Sequence, residues 1–176
     1  MTSLTLSVHA VTQGKKIITS LTTILAKAAS SPKAESLPEA RLIEDMLPLK
    51  FQVTMVADNV SKGVARAQGV EPPKVNWDMK TIADMQTQLK QTLEYVEAAD
   101  VETINKREEE IVTLGLGKGK PDGKMKAIDY VLGYSAPNAW FHLNAAYCIL
   151  RKEGVEIGKM DYLNAFTEGL VTIPEA

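Results

Sequence analysis

Cysteine and histidine are scarce in this chain of 176 residues, which has one cysteine, Cys148, and two histidines, His9 and His142. A single cysteine excludes an internal disulfide and a cysteine-rich metal site. Two histidines exclude zinc or nickel bound through three imidazoles of one chain, and the paired Glu-x-x-His elements of di-iron bundles are missing. The sequence therefore predicts no metal and no cofactor, although a mixed site that combines His142 with Asp, Glu or Gln remains open.

Long apolar runs and strong net charge are missing as well. No stretch of about 18 apolar residues occurs, so no membrane-spanning helix is expected. The formal net charge of -2 gives no overall attraction to nucleic acid or to an anionic membrane. The N-terminal residues lack the pattern of a signal peptide, and a free thiol fits a reducing compartment. We expect a cytoplasmic protein with neither nucleic acid nor a membrane as its partner.

Helical periodicity dominates the rest of the chain. Apolar residues recur at steps of three and four in four long segments, which is typical of amphipathic helices. The predicted helices are Ser3–Ser30, Asp45–Gly69 with Asp45 as the N-cap, Asp78–Ala98 and Ala127–Glu153. Two shorter helical turns are expected, over Glu39–Glu44 after Pro38 and in the tail GKMDYLNAF.

The pattern changes between the third and fourth predicted helices. A β-prone stretch, Ile111–Leu116, precedes the glycine-rich segment GLGKGKPDGK, which predicts a small hairpin or an ordered loop. This segment lacks the G-x-x-x-x-G-K-[ST] spacing of a phosphate-binding loop. Four long helices with no repeat and no linker predict one all-α domain over residues 1–176, a four-helix bundle.

The fourth predicted helix carries the most unusual side chains. Asn138 and His142 are four residues apart and share a helical face, and Pro137 predicts a kink beside them. His142 is then either a core histidine bonded to a neighbour or an acid/base in a pocket between helices. Trp140 and Phe141 are candidates for the floor of such a pocket.

The second predicted helix offers a matching polar strip. Gln52 and Asn59 are seven residues apart, which places them on one face, and Asp45 extends that line. An amide pair facing the fourth helix would form a polar patch in an apolar interior. Asp58 and Lys62, four residues apart, are interpreted as a surface ion pair.

Three segments carry a resemblance to a known family. They are ARLIEDMLPLKFQVTMVADNVSKG (40–63), GVEPP (69–73) and DYVLGYSAPNAWFHLNAAYCILRKEGVEIGKMDYL (129–163). The chain resembles the domain-of-unknown-function family DUF1993, which is grouped with the DinB/YfiT-like helical bundles. The resemblance implies a four-helix bundle with non-sequential helix order and a homodimer.

The resemblance also bears on the site. The wider superfamily includes transferases and isomerases that hold a metal with three histidines, whereas this chain keeps only His142 of that set, so the metal is not carried over. The resemblance implies Gln52, Asn138 and His142 as pocket residues, with Asp45, Asp58 and Lys62 as second choices.

Three functions remain open at this point. The first is a metal-independent small-molecule protein, in its enzymatic form a tailoring enzyme of specialised metabolism, with His142 as the catalytic acid/base. Its ligand would be a small apolar or carbonyl-containing molecule, bound by the residues Gln52, Asn59, Asn138, Trp140, Phe141 and Asp45. The second is a non-catalytic dimeric structural or interaction protein whose polar core residues fix the helix register. The third is a mixed-ligand metalloenzyme.

Overall fold

The protein is mostly helical with one small sheet. The computed structural model describes residues 4–115, 119 and 121–169. Its helices are α1 (Gln13–Ala29), α2 (Leu49–Gln68), α3 (Ile82–Glu97), α4 (Val101–Lys106), α5 (Ala127–Tyr130), α6 (Ala136–Lys152) and α7 (Lys159–Leu163). Two π-helical turns, Val8–Thr12 and Val131–Ser135, lead directly into α1 and α6.

The four long helices pack around one apolar core. α1 buries a continuous stripe of branched side chains that includes Ile17, Leu21 and Leu25. α2 packs against α3 and α6, and α1 packs against the same two helices. Consecutive helices are therefore not always neighbours, which agrees with the non-sequential order that the family resemblance implies. No helix in the described part of the chain has the length and apolarity needed to cross a membrane.

Several helix ends differ from the sequence-based expectation. The second helix begins at Leu49, with Pro48 at its N-cap position, and not at Asp45, which is exposed in the preceding loop. A helix cannot easily continue through the residue before a proline, because the proline ring restricts that residue to extended conformations. The turn expected over Glu39–Glu44 is instead a short 3-10 turn at Leu37–Glu39.

The helix α4 was not predicted from the sequence. The side chain of Asp100 accepts a hydrogen bond from the backbone N–H of Thr103 at 3.0 Å, which caps the first turn. The third helix was predicted from Asp78 to Ala98, whereas α3 begins at Ile82, where Thr81 and Asp84 form a reciprocal capping box.

A two-stranded antiparallel sheet follows α4. Strand β1 (Ile111–Leu114) pairs with strand β2 (Gly123–Lys126), with Ile111 opposite Lys126. Of the two forms predicted for this segment, a small hairpin or an ordered loop, the structure has the hairpin, so the fold is mostly helical with a small sheet and not all-α. Leu116, Gly117, Lys118 and Lys120 belong to the predicted turn but lie outside the described residues, as does Ser3 at the predicted start of the first helix.

The fourth predicted helix is continuous from α5 to α6 but contains a π turn. Pro137, which has no N–H to donate, lies in the first turn of α6, directly after that π turn. A π turn inserts an extra residue into the helix, and such turns are one recognised cause of helix irregularity. The irregularity predicted beside Pro137 therefore takes the form of a wide turn at Val131–Ser135.

Candidate functional site

The interface between α2 and the α5–α6 segment contains several of the buried polar residues of the described chain, among them Gln52, Asn59, Ser135 and His142. The two segments run antiparallel and are joined by hydrogen bonds along their length. These bonds join Arg66 to the Tyr130 hydroxyl, the Ser135 Oγ to the Asn59 carbonyl at 2.8 Å, and His142 Nδ1 to Gln52 Oε1 at 2.7 Å. We call this interface the polar seam.

The His142–Gln52 pair defines the protonation pattern of the imidazole. The Gln52 side-chain nitrogen donates to the Leu47 carbonyl at 2.8 Å, so its oxygen is the atom that faces the ring. An amide oxygen only accepts hydrogen bonds, and therefore His142 Nδ1 carries the hydrogen and donates it. In the neutral ring Nε2 is then unprotonated, with a lone pair available to accept a proton.

Aromatic side chains surround this imidazole. The rings of Phe51 and Phe141 present edges to it, with centroids 6.2 and 5.1 Å away. Because burial disfavours the charged form, the pKa of His142 is lowered below its ordinary value. Nε2 has no hydrogen-bond partner among the described residues, and the His142 residue as a whole is 9% exposed.

A cleft of about 300 Å³ opens along the polar seam, one helical turn from His142. From α2 it is lined by Asp58, Asn59, Lys62 and Arg66, and from the opposite wall by Tyr130, Tyr134 and Asn138. Trp77 and Leu114 close two of its sides. On each wall the lining residues recur every four positions, so each set forms a ladder on one face of its helix.

The two walls give the cleft one positive charge in excess. Asp58 pairs with Lys62 at 2.7 Å, and the Asp58 residue is only 8% exposed. Arg66 lies over the Tyr130 ring, 4.7 Å from its centroid, and donates to the Tyr130 hydroxyl. No carboxylate of the described residues lies within ion-pair distance of this guanidinium. The predicted ion pair between Asp58 and Lys62 is therefore present, but Asp58 is buried and the pair borders the cleft and does not lie on an open surface.

The amide side chains of the cleft are held by backbone carbonyls. The Asn138 side-chain nitrogen donates to the Tyr134 carbonyl at 2.6 Å, and that of Asn59 donates to the Met55 carbonyl at 2.8 Å. Each nitrogen carries two hydrogens, so one remains for a ligand. Asn138 lies one helical turn, about 6 Å, from His142 on the same face of α6.

The structure brings part of the predicted set together. Gln52 and His142 are in direct contact, whereas Asn59 and Asn138 line the adjoining cleft. Phe141 contacts the imidazole edge but is 60% exposed, at the rim and not at a floor. Its predicted role and those of the two asparagines stay predictions.

Two predicted residues lie elsewhere. Trp140 is on another side of α6, where its ring centroid is 4.8 Å from that of Phe166 and where Tyr162 also packs. Two adjacent helical residues differ by about 100° in direction, which separates Trp140 from the neighbouring Phe141. Asp45 is exposed in the loop before α2 and makes none of the contacts of the polar seam described above.

Sequence reasoning missed seven residues of the cleft lining. Four of them carry a charged or aromatic side chain: Arg66, Trp77, Tyr130 and Tyr134. The four-residue spacing of Tyr130, Tyr134 and Asn138 was a usable signal, as was that of Asp58, Lys62 and Arg66. Trp77 lies in the connector between α2 and α3, and a connector has no periodic pattern from which its position could be predicted.

The donor set around His142 does not fit the three-histidine metal site of the wider superfamily. Gln52, which faces the imidazole, supplies an amide oxygen, a weaker ligand than an imidazole or a carboxylate, and that oxygen already accepts the Nδ1 hydrogen. No group of three or more His, Cys, Asp or Glu side chains with metal-binding geometry occurs among the described residues.

Comparisons with known proteins identify the family. A crystal structure described as a DinB family member from Shewanella denitrificans is 28% identical and superposes with a TM-score of 0.79, covering 97% of this chain and 94% of that one. Among curated proteins no match was found. The model of a domain of unknown function, DUF1993, matches residues 6–163, which include the whole polar seam. The chain therefore belongs to the DUF1993 family and has a DinB-like helical fold.

Proposed function

We propose that this protein binds a small carbonyl-containing molecule in the cleft of the polar seam and that His142 Nε2 removes a proton from it. The scaffold of this site is the four-helix bundle of the DinB/YfiT type. The observation that carries the proposal is the hydrogen bond between His142 Nδ1 and Gln52 Oε1, whose donor and acceptor are assigned by the Leu47 carbonyl. A histidine held in one tautomer, with its second nitrogen reachable, is the arrangement that a general base needs.

The proton transfer needs few groups. The Nε2 lone pair takes a proton from the carbon next to the carbonyl, and the electron pair left behind delocalises onto the carbonyl oxygen as an enolate. The free side-chain N–H of Asn138, about one turn from the imidazole, donates to that oxygen. The reaction is completed when the imidazolium returns its proton, so that no cofactor takes part in the balance.

Hydrogen–deuterium exchange tests this step directly. The protein is incubated in D₂O with acetone, dihydroxyacetone, phenylacetone and phenylpyruvate, and loss of the α-proton signal is followed by NMR. We expect exchange in at least one compound to exceed the buffer rate, and His142→Gln to reduce the enhancement by about 100-fold or more. Asn144→Ala, an exposed change on the same helix, is the matched control and should leave the rate unchanged.

Two results would overturn the proposal. One is equal exchange in the wild type and in His142→Gln, which would make His142 a structural residue bonded to Gln52. The other is exchange at the buffer rate for every compound, which would favour the non-catalytic alternative. The homodimer and the cytoplasmic location stay proposals, and sedimentation of the purified protein and imaging of a tagged copy are their tests.

A further inference from the structure

The charges of the cleft specify the class of ligand more closely. Arg66 and Lys62 line it from α2, and Asp58, on the same helix, is the one carboxylate among the described lining residues. Since Asp58 is paired with Lys62 at 2.7 Å, the guanidinium of Arg66 is the uncompensated charge. A cation in a partly enclosed cleft attracts an anion more strongly than a cation on an open surface, because the surrounding protein lowers the effective dielectric constant.

The arrangement of these groups along the cleft is directional. Asp58, Lys62 and Arg66 follow each other at intervals of about one helical turn, so the Cα atoms of Asp58 and Arg66 are about 12 Å apart along the helix axis. An anionic group is repelled at the Asp58 end and attracted at the Arg66 end. The Asp58 end is also the one that adjoins Asn138 and the His142–Gln52 pair.

Aromatic surface completes the site. The Tyr130 ring is fully buried and stacks against that of Tyr134 at a centroid distance of 5.6 Å, so the accessible aromatic surface of the cleft comes from Tyr134 and from Trp77 at its edge. Planar rings of this kind favour a ligand with an apolar or aromatic body. The volume of about 300 Å³ is at the lower end of the range of small-molecule sites.

We propose that the ligand of this cleft is a small organic acid. Its carboxylate is held at the Lys62–Arg66 end, and its apolar body extends past Tyr134 towards Asn138. This inference rests on the proposed function in that both concern the same cleft. It differs in the residues that it requires, because the carboxylate is held at the end of the cleft remote from His142.

Binding of matched acids and amides tests the proposal. Benzoate, hydrocinnamate and phenylvalerate are each compared with their uncharged amides in a Trp140→Phe background, where Trp77 is the remaining tryptophan of the two in the sequence. Titration is followed by tryptophan fluorescence. We expect at least one acid to bind about tenfold or more tightly than its amide, and the difference to shrink as salt is raised.

Variants then test which cationic side chain binds the carboxylate of the acid. Arg66→Met keeps much of the apolar stem and removes the cation, and we expect about a tenfold or greater loss of acid affinity with little change for the amide. Lys90→Met, at an exposed position on α3, is the matched control and should change neither affinity. If Arg66→Met is unfolded by circular dichroism, Lys62→Met and the wild-type acid–amide comparison decide the question.

The failure of this proposal differs from the failure of the proposed function. Equal affinity for acids and amides, or no binding by any of the three acids, overturns the organic-acid inference and leaves exchange of neutral ketones unaffected. Acid affinity that is retained in His142→Gln, combined with no hydrogen exchange, supports the anion site and overturns only the general base.

Discussion

The helices α1 and α2 bury similar lengths of chain but different kinds of side chain. The buried face of α1 is almost entirely apolar, with Ser20 as its one buried hydroxyl residue. The buried face of α2 includes five polar residues: Gln52, Thr54, Asp58, Asn59 and Ser61. Buried polar groups stabilise a fold less than apolar ones do, because their desolvation offsets much of the hydrogen-bond energy. Both helices contribute apolar side chains to the core, and α2 in addition carries the buried polar residues that border the cleft.

The largest expected effect is the loss of stability when a core residue of α1 is truncated. Leu21 is fully buried, and Leu21→Ala leaves a cavity in the apolar core. We expect a loss of about 2–5 kcal/mol in the free energy of unfolding, measured by urea denaturation. Thr22→Ala, at the exposed neighbouring position, should change it by less than about 0.5 kcal/mol. A loss of acid binding in folded Leu21→Ala would show that the cleft depends on α1 as well as on α2.

The next effect concerns the close approach of α2 to the π turn. A Cβ at Gly63 would lie 2.5 Å from the Ser135 Oγ, which donates to the Asn59 carbonyl. Gly63→Ala must displace that hydroxyl, and we expect a loss of about 1–3 kcal/mol from the broken buried bond. Gly133→Ala is the matched control, because nothing lies within 4 Å of its added Cβ.

The double variant sharpens this result. In Gly63→Ala combined with Ser135→Ala, the clashing oxygen is gone, and we expect the loss to be smaller than the sum of the two single changes. Additive losses, measured in the same denaturation experiment, would show that the two helices do not depend on this contact.

The polar seam also shows what a sequence can and cannot predict. Asn138 and His142 were placed on one face because helical spacing alone determines it. The contact between Gln52 and His142 joins residues 90 positions apart, so only tertiary packing creates it. Asp58 and Lys62 show the same limit, since four-residue spacing is identical for an exposed pair and for one beside a cleft.

The fold was more predictable than the site for a related reason. Apolar periodicity located the four long helices, because burial of one face is the main determinant of such helices. The start of α2 was predicted at Asp45 because aspartate is a favoured N-cap residue, whereas the helix begins directly after Pro48. The position of Trp77 depends on the path of a connector, and local sequence carries little information about such paths.

A smaller effect appears in the pH dependence of stability. Burial lowers the pKa of His142, so the unfolded chain binds its proton more readily than the folded one. The free energy of unfolding should therefore fall as pH decreases below about 6.5, the ordinary value for histidine, and level off below the folded pKa. In His142→Gln this component should be lost, as measured by urea denaturation across that range.

A change at Gln52, the hydrogen-bond partner of the imidazole, should shift the pKa of His142 in the opposite direction. Gln52→Glu places a carboxylate opposite the Nδ1 hydrogen, which favours the charged ring and raises the pKa of His142. NMR titration in a His9→Gln background reads this pKa without overlap from the second histidine. A pKa of His142 that does not move would show that the two side chains are not in contact in solution.

The smallest effect separates the two tryptophans, both of which have aromatic neighbours. Trp77 borders the cleft and is 57% exposed, whereas Trp140 packs against Phe166 on another side of α6. Trp77→Phe should weaken hydrocinnamate binding a few-fold, because the indole gives up contact area at the edge of the cleft. Trp140→Phe should leave the affinity unchanged, since it alters the packing against Tyr162 and Phe166, which do not line the cleft. Calorimetric titration measures the affinity of both variants without relying on indole fluorescence. Weaker binding in Trp140→Phe alone would place the ligand on the side of α6 that carries Trp140.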